Sequence, residues 1–224
     1  MKLLEVIVTS VEEAREAEDG GANRLELVRD LEAEGLTPPL PLVEEVIAAV
    51  SVPVRVMLRE TTSFSISTER ERRSLTEAAR AFSQLPVNGL VLGFLKGGII
   101  DSCALDHLLS ATDKPVTFHR AIECVPDPIV ALETLKAFAQ VDRVLLNGGN
   151  GSWADRRRRL ERLQESARPG ILVVVGGGLN EEGLEVLAQS ILLREFHAGS
   201  AVRDESGRVR SERVRKLRQL LGTE

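Results

Sequence analysis

At 224 residues and 43% hydrophobic, the chain can bury one sizeable core, and a formal net charge of −5 leaves no basic surplus for nucleic acid. No stretch approaches the roughly 18 apolar residues of a membrane span and no charged-then-apolar leader opens the chain, so a cytoplasmic protein with reduced thiols is expected. The two cysteines, Cys103 and Cys124, lack the spacing of a zinc or redox motif.

Strand-like and helix-like stretches alternate from end to end. Leu3–Thr9 reads as a strand, and Ser10 with Glu13 opens a helix as a capping box that Gly20 and Gly21 stop. Arg24–Val28 is the second strand, followed by a loop with Gly35, Pro38 and Pro39 and a helix from near Pro41. Pro53–Leu58 is the third strand; the polar loop Thr61–Thr68 behind it has the length of a lid, and Leu75, Ala78, Ala79 and Phe82 mark the next helix. Gly89–Leu92 is strand four, with Leu105, Leu108 and Leu109 on its helix. Strand five lies in Lys114–Glu123, where Val116 and Phe118 alternate with Thr117 and His119, and its helix runs from Pro128 to Phe138.

Arg143–Leu146 is strand six, ending in Asn147–Gly148–Gly149. Its helix carries Trp153, Leu160 and Leu163, and the run Arg156–Arg159 reads as a solvated face. Leu172–Val175 is strand seven, closed by Gly176–Gly177–Gly178, with Leu184, Leu187, Ala188 and Ile191 on the helix that Asn180 caps. Glu195–Ala198 is strand eight, and Val214, Leu217 and Leu221 stripe the last helix. Eight such units without a linker predict a single-domain α/β protein, a compact (β/α)8 TIM barrel. An open doubly wound sheet is disfavoured because its strands would be apolar on both faces. Here only one parity is apolar (Val6, Val8, Leu25, Leu27, Val54, Val56, Leu58, Phe196), and the other carries Glu5, Arg24, Glu26, Arg55, Arg59, Thr117, His119, Glu195 and His197.

The polar parity therefore faces the barrel interior. Arg24, Arg55 and Glu195 open their strands and are expected at the solvent-exposed bottom rim. Glu5 and Glu26 lie deeper and need partners, with Arg55 and Arg59 the natural ones and a Glu26–Arg59 ion pair the specific expectation. The carboxyl-terminal rim carries Arg59, His119, Arg120, Asn147 and His197 above Glu26, a set suited to proton transfer beside an anionic group. Gly176, Gly177 and Gly178, with Gly199 and Ser200 after strand eight, match the usual place of a barrel anion site. Cys103 and Cys124 follow neighbouring strands, and thiolates suit soft Cu(I). Three readings stay open: a copper-binding protein, an enzyme acting on a small anionic metabolite, phosphorylated or otherwise, and a scaffold whose interior charges only satisfy one another.

The segments LLEVIVTSVEEAREAEDGGANRLELV, EGLTPPLPLVEEV, TFHRAIE, RVLLNGG and EFHAGSA, in this order over nearly the whole chain, resemble the copper homeostasis protein CutC family. The resemblance implies a TIM barrel, a cytosolic location, a homodimer and a role in copper handling. It places Glu5, Glu26, Arg59, His119, Arg120 and His197 on the family's motifs. The chain departs from relatives in having Arg59–Glu60–Thr61 after strand three, without a glycine pair, and Val8, Thr9 and Val28 where some relatives carry cysteines.

Overall fold

A strand that alternates apolar and polar residues can bury both faces only if one packs on helices and the other closes on itself, and the computed structural model, which describes residues 2–222, closes in this way. The parallel barrel strands are β1 (Leu3–Val8), β2 (Arg24–Leu27), β3 (Val54–Met57), β4 (Gly89–Leu92), β5 (Val116–Phe118), β6 (Val141–Leu146), β7 (Leu172–Val175) and β8 (Glu195–Ala198). Each pairs with its neighbours in sequence, and β1 closes the ring on β8 with Glu5 in register with His197. The helices are α1 (Val11–Asp19), α2 (Leu40–Ala49), α3 (Glu69–Ser83), α4 (Ser102–Leu109), α5 (Pro128–Leu135), α6 (Trp153–Ala167), α7 (Glu181–Leu187) and α8 (Ser211–Leu220). None is long and apolar enough to cross a membrane.

The outward parity (Val6, Val8, Leu25, Leu27, Val54, Val56, Leu58, Phe196) packs with the helix stripes into one continuous core. Inside the barrel a separate small cluster of Ile7, Val28, Met57 and Val91 forms an apolar layer. Ser10 caps α1 as predicted, accepting from Glu13 N, but the Glu13 carboxylate turns to Thr9 and the Arg203 guanidinium instead of completing the box. α7 ends at Leu187, so Ile191 lies beyond the helix and is exposed. A hairpin not foreseen in the sequence, Leu95–Lys96 with Ile99–Ile100, follows β4; Leu95 N donates to Phe64 O at 2.7 Å and so braces the loop Thr61–Thr68.

The bottom of the barrel corrects two expectations. Arg24, Arg55 and Glu195 are not solvent-exposed; they are 2, 1 and 6% accessible. The cause is β6, which begins two residues earlier than predicted and shifts register against Val116–Thr117, so that the consecutive residues Asp142 and Arg143 both reach the network. Arg55 makes a bidentate pair with Asp142 (2.8 and 2.7 Å) and donates to Thr117 Oγ1 at 2.7 Å. Glu195 accepts from Arg24 Nη2 and Arg143 Nε, each at 2.7 Å, while Arg24 Nε donates to Glu5. The basic run of α6 is likewise not a plain solvated face. Arg156 stacks 3.9 Å over Trp153 and donates to Asn147 O and Gly177 O, and Arg159 holds Gly148 O, so the two arginines satisfy carbonyls of the loops after β6 and β7.

Charges this deep are tolerated only in balance. Arg24→Met would leave Glu5 and Glu195 each short of a guanidinium. Denaturant unfolding of this variant is expected to show a loss of about 3–5 kcal/mol; a loss below about 1 kcal/mol, the scale of a surface pair, would contradict a buried network.

Candidate functional site

Strand parity sends Glu26, Arg59, His119 and His197 up the inside of β2, β3, β5 and β8, and the loops after the strands roof them. The result is a cavity of about 230 Å³ at the carboxyl ends of the strands. Glu26, Arg59, His119, Arg120 and His197 line it together with Gly177, Gly178, Gly199 and Ser200, and Ile7, Leu31, Met57, Leu145 and Leu179 supply apolar wall. Glu5 sits beneath and joins the cavity through His197. Gly176 stands behind, where a Cβ would come within 3.2 Å of His197. Asn147 turns away, held by the Glu123 carboxylate, which accepts from Asn147 Nδ2 at 2.8 Å. Cys103 and Cys124 are free and exposed, and neither lines the cavity.

The predicted Glu26–Arg59 ion pair does not form. Arg59 instead donates through Nη2 to Thr62 O and lies 4.7 Å from the Phe64 ring, while its Nε is buried without a partner. Thr37, in the loop after β2, holds the backbone of Arg59: Thr37 N donates to Arg59 O at 2.7 Å and Arg59 N to Thr37 Oγ1 at 2.8 Å. Arg55, in register with Glu26, points to Asp142 instead. Glu26 therefore has no guanidinium of its own, and its Oε2 accepts no hydrogen bond. The charged group that comes nearest is His197, whose Nδ1 lies 2.9 Å from Glu5 Oε1 and 3.6 Å from Glu26 Oε2.

These contacts drive the three carboxylate and imidazole groups apart. Burial pushes the Glu5 carboxyl up, but Arg24 and then His197 outweigh it and hold it well below the ordinary range. Burial raises Glu26, helped by the nearby Glu5, to about 7 against the pull of His197. Burial lowers His197, yet Glu26 and Glu5 outweigh it, so this imidazole gains basicity and keeps its proton on Nδ1 toward Glu5. His119 goes the other way: burial, then Arg59 and Arg120, bring it down to about 3. Its Nδ1 accepts from Ala121 N at 3.2 Å, which leaves the proton of the neutral ring on Nε2, buried and unpartnered. Phe64, with its ring 5.2 Å from that of His119, roofs both His119 and Arg59.

Sequence reasoning missed three contributors. Gly93 lies against the His119 ring, where a Cβ would meet Nδ1 at 2.6 Å; a glycine just past a strand was the available signal. Phe64 lay within the loop read as polar and of lid length, and Glu34, which lines the cavity and sits 3.9 Å from Arg120, lay in the loop with Gly35, Pro38 and Pro39 without being singled out.

Donor atoms of Glu5, Glu26 and His197 lie within 4.8 Å of one another. They are a poor fit for copper. Glu5 is engaged by Arg24 and His197, His197 Nδ1 carries a proton, and oxygen donors beside a guanidinium are a poor match for soft copper.

Fold and cavity together define a (β/α)8 barrel with a small polar cavity at the carboxyl ends of its strands, where barrels of this class hold their ligands. Residues 2–202 match the family described as CutC family, and the chain belongs to it. It is 35% identical to the copper homeostasis protein cutC homolog of Homo sapiens over 207 residues, which is 92% of this chain and 76% of that protein. A family protein CutC of Treponema denticola is 30% identical over 90% of this chain and 82% of its own. Among solved structures, CutC from Streptococcus agalactiae superposes with a TM-score of 0.80 at 26% identity, covering 88% of this chain and 98% of that one. Phosphoribosyl anthranilate isomerase from Thermococcus kodakaraensis superposes over both whole chains with a TM-score of 0.65 at 18% identity, a likeness of fold alone.

A folded-state pKa of about 7 for Glu26 means that the folded protein binds a proton more tightly than the unfolded chain. The Glu26 contribution is complete below the ordinary carboxylate value and is lost as pH rises through about 7. Glu26→Gln is therefore expected to stabilise the fold by about 3 kcal/mol at pH 8 relative to pH 4 when both proteins are unfolded in urea. A difference independent of pH would show that Glu26 titrates as an exposed carboxylate.

Proposed function

We propose that this protein acts in copper homeostasis, the role for which its human relative is named. The observation that supports this reading is the in-order match to the family across residues 2–202. Copper is the cargo, and Cu(I) would be taken by the thiolates of Cys103 and Cys124, which are free, exposed and the softest donors in the chain. The protein would work in the reducing cytoplasm as a homodimer, two inferences carried by the family resemblance. Cu(I) titration under reducing conditions against a chromophoric chelator tests the copper reading. The Cys103→Ser, Cys124→Ser double variant is expected to lose at least about 100-fold in affinity while Glu26→Gln does not change. Equal affinity in wild type and the double variant would exclude the thiol site.

A specific observation favours a second reading, in which the barrel is an enzyme acting on a small anionic metabolite, phosphorylated or otherwise. Glu26 Oε2, Arg59 Nε and His119 Nε2 are buried, have no hydrogen-bond partner and belong to residues lining one cavity. Each such group left unmatched costs on the order of 1–3 kcal/mol, a cost that a ligand bound there would recover. Arg59, Arg120 and the backbone at Gly177, Gly178, Gly199 and Ser200 would hold the anion, with Glu26 and the two histidines serving proton transfer.

A further inference from the structure

The enzymatic reading leaves the reaction open, and the arrangement of the two unpartnered side chains narrows it. Glu26 stands on β2 and His119 directly after β5, so they approach the cavity from different sides of the ring, with Arg59 on the wall between them. Apolar side chains of Ile7, Met57 and Leu145 line part of it. A carbon skeleton suits such an apolar lining, and a polar group at either end would meet one of the two side chains.

His119 is a hydrogen-bond donor that does not need to be charged. Because Ala121 N–H already donates to Nδ1, the proton of the neutral ring lies on Nε2, which is buried and without a partner in a residue lining the cavity. Burial, and then the two guanidiniums nearby, keep the ring from becoming an imidazolium. Glu26 is its complement, a carboxylate without a cationic partner of its own. Glu5, His197, Arg24 and Arg55 face it, but Glu5 and Arg24 bond to each other, His197 bonds to Glu5, and Arg55 bonds to Asp142. Such a carboxylate ionises close to neutral pH, where it can both take and return a proton.

We infer that this cavity catalyses enolisation of a small carbonyl compound bearing an anionic group, with Glu26 as the base, His119 Nε2–H as the donor to the carbonyl oxygen, and Arg59 as the holder of the anionic group. The inference rests on the enzymatic reading above and deepens it.

In the step, the C–H bond next to the carbonyl breaks and its proton passes to Glu26. The electron pair forms the C=C bond of the enolate, and the carbonyl π pair moves to oxygen, where His119 Nε2–H stabilises it. A carboxylate base with a neutral imidazole as electrophile is an established pairing for this chemistry. Glu26 then returns a proton to the same carbon, giving exchange with solvent, or the enediol of a hydroxy-carbonyl compound is reprotonated at its other carbon, giving isomerisation. No oxidant or reductant is consumed. Phe64 packs beside both His119 and Arg59, so the loop Thr61–Thr68 forms part of the cavity wall next to them.

The test is hydrogen–deuterium exchange in D₂O, read by proton NMR, using pyruvate, hydroxypyruvate, oxaloacetate and dihydroxyacetone phosphate as probes. Wild type is expected to exchange the carbon-bound protons of at least one of them about 100-fold or more above the protein-free rate. Glu26→Gln is expected to lose about 100-fold of that rate while binding the probe as before, and His119→Ala a comparable factor. Glu26→Asp, which keeps the carboxylate, should retain part of the rate and covers the case of a poorly folded glutamine variant. Exchange undiminished in Glu26→Gln would overturn the assignment. Probe-dependent amide shifts at Gly177 and Gly199 without exchange of any probe would overturn enolisation and leave the ligand site standing. Neither shifts nor exchange would overturn both.

Discussion

The structure depends on how a narrow barrel disposes of the charges that its inward parity forces inside it. Four guanidiniums and several carboxylates occupy a space where an unmatched ion costs several kcal/mol. The bottom layer solves this by sharing: Glu195 serves Arg24 and Arg143, and Asp142 serves Arg55 and Arg143. That solution commits Arg24 and Arg55 downward. Nothing cationic is left for Glu26 except the histidine it shares with Glu5, and the imbalance at the upper level follows directly from the balance at the lower one.

The consequence is a division of protonation states over a few ångströms. Glu5 is fixed as an anion by Arg24 and His197, and His197 as the more basic imidazole by the two carboxylates. Glu26 is left near neutrality and His119 is kept uncharged. Groups whose environments push them in opposite directions are what acid–base chemistry at neutral pH requires. Ion-pair networks without function also perturb such groups. Arg157 Nε and Arg203 Nε are also buried without partners, but singly and away from the cavity; what favours function is that a carboxylate oxygen, a guanidinium N–H and an imidazole N–H are all unmatched at residues lining a single cavity.

Much of this was legible in the sequence, because a period of two assigns each side chain to a face. The eight strands, the closed barrel and the presence of Glu26, Arg59, His119 and His197 on one inner rim all follow from that period. Partner choice does not. Arg55 is in register with Glu26, yet it reaches across to Asp142 because β6 starts early and shifts register at Val116–Thr117, an irregularity no alternation pattern announces. Parity likewise could not foresee that Arg59 would be stacked by Phe64, or that Arg156 and Arg159 would leave a helix face to hold loop carbonyls. Gly93 reads as a turn glycine, and its role in admitting the His119 ring exists only once β4 and β5 lie side by side. The family resemblance marked the same rim positions without saying what they do.

His119 as a buried, neutral donor and His197 as a paired imidazole are read directly by long-range proton–nitrogen NMR of the two ring systems. The His119 ring is expected to be protonated on Nε2 alone and unchanged from pH 8 down to about pH 4, well above its folded value of about 3. His197 is expected to carry a proton on Nδ1 at neutral pH. A His119 ring that titrates near the ordinary histidine value, or that carries its proton on Nδ1, would contradict this assignment.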